Sequence, residues 1–257
     1  MVKQKNFISV LLFLSVCFIT SCFNLTEEYA INEDGSGQFT INMDLYKMID
    51  MVNSFAPSDS SDKKMENEKA HDTIIYFKKG IDESKELSAD EKRLFRDGSL
   101  KLVMNLKEKK FFFDINFPFK TPADLTKIHS SYPNALKTID FKEAFGNDSA
   151  GSKMMSEPDD LSMGGQYLEL NAGKDFIERK VNKEKMKKYS EKDSSLKMMM
   201  PMLGSVYISS VIHLPRPVKK MDNPYGQLSE DKKTITFKFP ISDYIERPEV
   251  MNFRVDY

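Results

Sequence analysis

The chain has 257 residues, with 38 Lys and Arg against 39 Asp and Glu, two Cys, three His and no Trp. With 30% charged residues, 11% aromatics, 11 Gly and 11 Pro, the composition excludes collagen, a disulfide scaffold and wholesale disorder, so a globular domain is expected. A formal net charge of −1 offers no basic footprint of the kind that supplies most of the affinity for nucleic acid, and that class is set aside.

Lys3 and Lys5 precede an apolar run from Phe7 to Ile19, which ends in Thr20, Ser21 and Cys22. The run of 13 residues, at about 1.5 Å per residue, covers about 20 Å of a hydrocarbon core about 30 Å thick, so it reads as an export signal rather than a spanning helix. Its ending, Ile19-Thr20-Ser21-Cys22, resembles the lipobox of bacterial lipoproteins. That resemblance implies that Cys22 receives a diacylglycerol and becomes the mature N-terminus. Buried acyl methylenes contribute about 0.8 kcal/mol each, so two or three chains make a lasting anchor. Cys17 then leaves with the signal, residues 1–21, and Cys22 is consumed as a thioether, which leaves no thiol for a disulfide, a catalytic Cys or a thiolate metal site. The mature chain of 236 residues has 36 basic and 39 acidic side chains. By the sorting rules of such lipoproteins, Phe23, not the Asp that retains many of them at an inner membrane, implies the outer membrane; and Phe23 to Thr26, standing before Glu27 and Glu28 where surface-exported lipoproteins carry an acidic run close behind the Cys, imply that it faces the periplasm.

Along the mature chain, Leu25, Glu27, Tyr29 and Ile31 alternate, as do Phe39, Ile41, Met43 and Leu45, with Asn32 to Gly37 between them. Two period-two segments around Asp34-Gly35 predict a hairpin. The same stretch is not a calcium loop: placing Gly35 at the sixth position puts Ala30 at the first and Ile41 at the twelfth, where a carboxylate is required. Leu45, Met48, Ile49 and Val52 fall on one helical face. Residues near 56–70 are polar and aperiodic and read as a mobile loop. Ile74, Phe77 and Ile81 suggest a second helix, and Ser88 to Glu91 has capping-box spacing before Leu94 and Phe95, with Asp97-Gly98 as a stop.

Leu100, Leu102, Met104 and Leu106 alternate, as do Phe111, Phe113, Ile115 and Phe117, which predicts a second hairpin across Lys107 to Lys110 and leaves Phe112 facing outward. Thr121-Pro122 reads as an N-cap and N1 proline ahead of a helix carrying Leu125, Ile128, His129 and Tyr132. A second mobile loop is expected near 146–165. Residues 167–181 predict a third hairpin around Asn171 to Lys174, 182–199 an exposed helix, and 205–214, 217–221, 234–239 and 250–257 strands. Strand pairs alternating with helices imply a single α+β domain over 22–257, a largely antiparallel sheet of hairpins with helices packed on one face. At this length it can bury about 70% of its unfolded surface without disulfides.

Residues that carry chemistry are sparse. Met198 to Met200 and Met202, with Met154, Met155 and Met163, are thioethers suited to Cu(I), but no Cys or near His completes a set and packing explains them better. His71, His129 and His213 form no HxxxH or HExxH pair. Ser209 and Ser210 precede His213 on a strand, without a GxSxG elbow. No phosphate-binding glycine motif is present. Asp159-Asp160 sits in a polar loop, where solvated surface outweighs a glycosidase pair. The 19 Phe fit a plain core better than an apolar cavity.

The order of elements, with Cys22 followed at once by the Asp34-Gly35-Ser36-Gly37 hairpin, a late Ile212-His213-Leu214-Pro215 strand and a closing Thr234 to Phe239 strand, resembles that of uncharacterised lipoproteins of Bacteroidetes. It is also similar to the LppM-type lipoprotein domain in the N-terminal hairpin and the C-terminal strands. The resemblance implies an α+β envelope domain with no active-site residues. The expectation is a non-enzymatic, lipid-anchored envelope protein, without cofactor or metal, that binds a protein or an apolar, lipid-like partner. The competing expectation is an envelope hydrolase. A cleft holding His213 or His129 beside a carboxylate and a hydroxyl would favour the latter.

Overall fold

The computed structural model describes residues 24–46, 70–140, 167–192 and 207–257. Strands β1 (Asn24–Ile31) and β2 (Gly37–Asp44) form the first hairpin. Its turn is closed by Asn32 N–H on the Ser36 carbonyl at 2.8 Å, with Gly35 at φ +83°, a left-handed conformation that glycine adopts at little cost. β3 (His71–Tyr76) and α1 (Lys78–Glu83) follow, so Ile74 lies on a strand, not on the expected helix. The strand wins because β3 pairs in register with β4 (Ser99–Asn105), Ile75 opposite Leu100.

Between them, α2 (Ala89–Phe95) opens on a complete capping box: Glu91 N–H donates to Ser88 Oγ, and Ser88 N–H donates to the Glu91 carboxylate. A single 3₁₀ turn, Leu106–Glu108, with Lys109 at φ +57°, joins β4 to β5 (Lys110–Phe119). α3 (Pro122–Leu136) starts as expected, with Thr121 Oγ1 accepting from Asp124 N–H. β6 (Leu168–Ala172) and β7 (Phe176–Val181) make the third hairpin, followed by α4 (Lys183–Lys192). The C-terminal part holds β8 (Tyr207–His213), the two-residue β9 (Lys220–Met221) and β10 (Gln227–Leu228), β11 (Thr234–Pro240), α5 (Ile241–Glu246), a 3₁₀ turn at Pro248–Met251 and β12 (Phe253–Asp256).

The strands divide into two sheets. The larger runs β10-β11-β8-β1-β2-β5-β4-β3 and the smaller β6-β7-β12-β9. All pairings are antiparallel except β1 with β8. This is the expected α+β class, with a difference in the cover: the smaller sheet shares the inner face of the larger one with the helices. Ala172 N–H of β6 donates to Thr126 Oγ1 of α3 at 3.0 Å, and Phe253 of β12 stacks on Phe237 of β11 at 4.7 Å. α2 holds α3 through Arg93 to Asp124 at 2.7 Å and Lys127 to Asp90 at 2.7 Å.

Inward positions alternate along every central strand of the larger sheet. Leu25, Tyr29, Ile31, Phe39, Ile41, Met43, Leu100, Leu102, Phe111, Phe113, Ile115 and Phe117 are all buried, and with Phe237, Phe253 and Val255 they belong to one core. Each such side chain contributes about 1.5–3 kcal/mol by leaving water. The opposite face of the larger sheet carries mainly polar side chains, Thr26, Glu28, Thr40, Asn42, Lys101, Asp114 and Asn116 among them. Apart from residue 70, the loop near 56–70 lies outside the described residues, as do the loop near 146–165, the helical face from Met48 to Val52, the methionine cluster and Asp159-Asp160.

Candidate functional site

Three places carry more than core packing. The first is the open face of the larger sheet, where register places polar side chains in rungs. Glu28 stands opposite Thr40, which faces Asn116; one rung away, Thr26, Asn42 and Asp114 align with Lys101. Glu28, Gln38, Thr40, Asn42, Asp114 and Asn116 line a shallow trough of about 280 Å³. Asp114 Oδ1 is buried without a hydrogen-bond partner, and burial, aided by the Glu28 charge and opposed by Lys101, raises its pKa. At the trough's margin, His213 Nε2 lies 2.9 Å from Glu28 Oε1 and its Nδ1 lies 3.2 Å from Thr234 Oγ1. Phe112, the outward aromatic of the second hairpin, is half-buried on this face between Asp44 and Val103.

The second place is inside. Glu27 occupies an inward slot of β1 where its neighbours Leu25 and Tyr29 are apolar, and Arg179 of β7 reaches it from the smaller sheet. Arg179 Nη1 donates to Glu27 Oε2 at 3.1 Å and to Ser210 Oγ at 2.6 Å, its Nε donates to the Met251 carbonyl at 3.1 Å, and its guanidinium lies 4.8 Å from the Phe253 ring centre. Tyr29 Oη adds a donor to Glu27 Oε2 at 3.0 Å. His129 of α3 approaches Glu27 Oε1 at 3.9 Å, yet neither ring nitrogen has a hydrogen-bond partner among the described residues. Burial, with Arg179 adding and Glu27 opposing, lowers its pKa to about 4, so the ring is neutral at pH 7. No pocket among those described opens onto this cluster. It is a polar rivet between β1, β8 and β7, and His129 beside it is fully buried.

The third place is the margin at β3, which with β10 forms the two edges of the larger sheet among the described residues. Ile74 is 49% exposed and Tyr76 70%. Beside them lies a pocket of about 510 Å³, lined by residues of β3 together with Phe77, Gly80, Thr138 and Ile139. An outer strand presents unpaired backbone groups on which another extended chain can add.

The structure therefore separates the three histidines: His71 starts the marginal strand β3, His129 is in the core and His213 is on the open face. Among the described residues no group of three or more His, Cys, Asp or Glu side chains is placed to hold a metal ion. Ser210 points inward to Arg179, while Ser209, its neighbour, lies on the other side of β8. Cys22 lies outside the described residues, two positions before β1. Sequence reasoning missed the Glu27–Arg179 pair, although a carboxylate at an inward slot of an alternating strand is its visible signal. Among the described residues no helix is long and apolar enough to cross a membrane.

No family model and no curated protein matches the chain. Among solved structures, the folded domain of LppM from Mycobacterium tuberculosis, determined by NMR, is similar at a TM-score of 0.35 and 9% identity, covering 93% of this chain and 92% of that one. A likeness of that size carries no function across.

Proposed function

We propose that the chain is a lipid-anchored protein of the bacterial cell envelope, held by acyl chains on Cys22 at the periplasmic side of an outer membrane, and that it binds a protein or apolar partner without turning it over. The observation that carries this reading is the Ile19-Thr20-Ser21-Cys22 ending of a short apolar run, which makes Cys22 the acceptor of the anchor. What supports binding is the β3 margin, where Ile74 and Tyr76 stand exposed on an outer strand beside a pocket. Intact-mass analysis of protein purified in detergent from its native membrane tests the anchor. A mass starting at Cys22 with added acyl chains is expected, and an unmodified N-terminus refutes it. Binding is tested with a photo-reactive amino acid at Tyr76 and another at Glu33. Adducts specific to Tyr76, lost on adding Ile74→Lys, support the margin, and equal labelling at both positions refutes it.

The second reading, a hydrolase, is favoured by the Thr234–His213–Glu28 chain of hydrogen bonds, since a hydroxyl, an imidazole and a carboxylate are in contact on an open face. Thr234 and His213 are also directly opposed neighbours on β11 and β8, an arrangement that cross-strand pairing alone accounts for. Ester hydrolysis lost in both His213→Ala and Thr234→Val would establish the hydrolase at this site; activity surviving both would dismiss this constellation as its source.

A further inference from the structure

The position of β1 in the larger sheet determines which end of the molecule meets the bilayer, and this inference rests on the Cys22 anchor. Cys22 precedes Asn24, the first residue of β1, by two positions, and two residues span at most about 7 Å. β1 is an interior strand with β2 on one side and β8 on the other, so the acyl chains leave the sheet near its middle.

Strand polarity names the residues at that end. Asn24 pairs with Tyr207, the start of the parallel β8. The antiparallel neighbours terminate there: β2 at Asp44 and β11 at Pro240, which pairs with Tyr207. β5 begins there at Lys110, because Phe112 faces Asp44, and the β4–β5 turn projects beyond it. That turn reads Leu106-Lys107-Glu108-Lys109-Lys110, and its four charged residues are exposed. Lys110 pairs with Glu108 at 2.7 Å, leaving the turn with a surplus of two positive charges at neutral pH. The opposite end of β1 leads into the acidic turn holding Glu33 and Asp34, about 26 Å away for a strand of eight residues.

We infer that the end of the larger sheet formed by the start of β1 and the Lys107–Lys110 turn lies against the bilayer, with these lysines on anionic phospholipid headgroups. Surplus positive charge close to a lipid anchor is attracted to an anionic surface. The Asn32–Gly37 turn then points away from the membrane. The Tyr76 end of β3 lies away from the membrane too, because β3 begins at His71, opposite Met104 near the basic turn, and runs outward from there.

The test uses the full lipidated chain, whose mature form on this reading has no thiol besides the acylated Cys22. Single variants Lys107→Cys, Lys110→Cys and Glu33→Cys are labelled with a fluorophore and reconstituted into phosphatidylglycerol–phosphatidylcholine vesicles carrying nitroxide-labelled headgroups. Quenching at 107 and 110 should exceed that at 33 several-fold, and should fall when phosphatidylcholine alone is used. Equal quenching at the two ends, or stronger quenching at 33, overturns the orientation. Strong quenching at 107 and 110 that is indifferent to lipid charge overturns the lysine contact. Protein that does not float with the vesicles overturns the anchor, and the orientation with it, and the flotation readout separates that outcome from the others.

Discussion

Replacing Arg179 by Met removes the cation of a fully buried pair while keeping an apolar stem in place. Three hydrogen bonds are lost: to Glu27 Oε2 at 3.1 Å, to Ser210 Oγ at 2.6 Å and to the Met251 carbonyl at 3.1 Å. Glu27, 5% exposed, keeps the Tyr29 hydroxyl as a donor but loses its only close guanidinium among the described residues. Removing one partner of a buried pair costs about 3–5 kcal/mol, because the other charge stays in a medium that solvates it poorly. At about 2–4 °C per kcal/mol for a chain of this size, the midpoint of thermal unfolding should fall by about 10 °C. Glu27→Leu should cost a similar amount. The double variant removes both charges, so its cost should fall short of the sum of the singles by about 3 kcal/mol, what remains coming from the orphaned Tyr29 hydroxyl and Met251 carbonyl. Urea unfolding of the protein, followed by far-UV circular dichroism, measures all three. A single substitution costing under about 1 kcal/mol, or strictly additive costs, would refute the assignment of this pair as the rivet between the two sheets.

His129 makes an acid-sensitivity prediction. Its folded pKa of about 4 lies below the ordinary 6.5, so the unfolded chain binds the proton more readily; stability is full above pH 6.5 and is lost as pH falls toward 4, by up to about 3 kcal/mol. His129→Leu should flatten that part of the pH–stability profile, and an unchanged acid slope would show that burial of the ring is not its source. Ser88→Ala deletes both hydroxyl contacts of the capping box and should cost about 1 kcal/mol in urea unfolding; no measurable change would mean that α2 is held by its contacts with α3 alone. Gly37→Ala would place a Cβ 1.9 Å from the Ala30 carbonyl oxygen and 2.5 Å from the Phe119 ring. Two obstructing groups, one of them backbone, should cost about 2–4 kcal/mol, and a variant of wild-type stability would refute that tight approach.

What the amino-acid sequence determined by itself is local. The hairpins around Gly35, Lys109 and Gly173 follow from period-two alternation broken by turn residues, and α2 and α3 start where Ser88 and Thr121 supply a side-chain acceptor. These signals act over a few residues, within one stretch of chain. β3 carries a helical pattern in the sequence because neither of its faces is fully buried: Ile74 points outward and Ile75 inward, so the strand period is erased while Ile74, Phe77 and Ile81 fall at helical spacing. The division of strands between two sheets and the parallel pairing of β1 with β8 were not legible, since both depend on which distant segments close on each other, and no local pattern encodes that choice. The polar sites follow the same rule. Glu27 in an apolar slot was visible as an anomaly, but its partner became known only when the fold brought Arg179 across 152 positions of sequence. The Glu28–His213 contact and the trough beside it likewise exist only because tertiary pairing sets β8 against β1, placing on one open face residues that the chain keeps 185 positions apart.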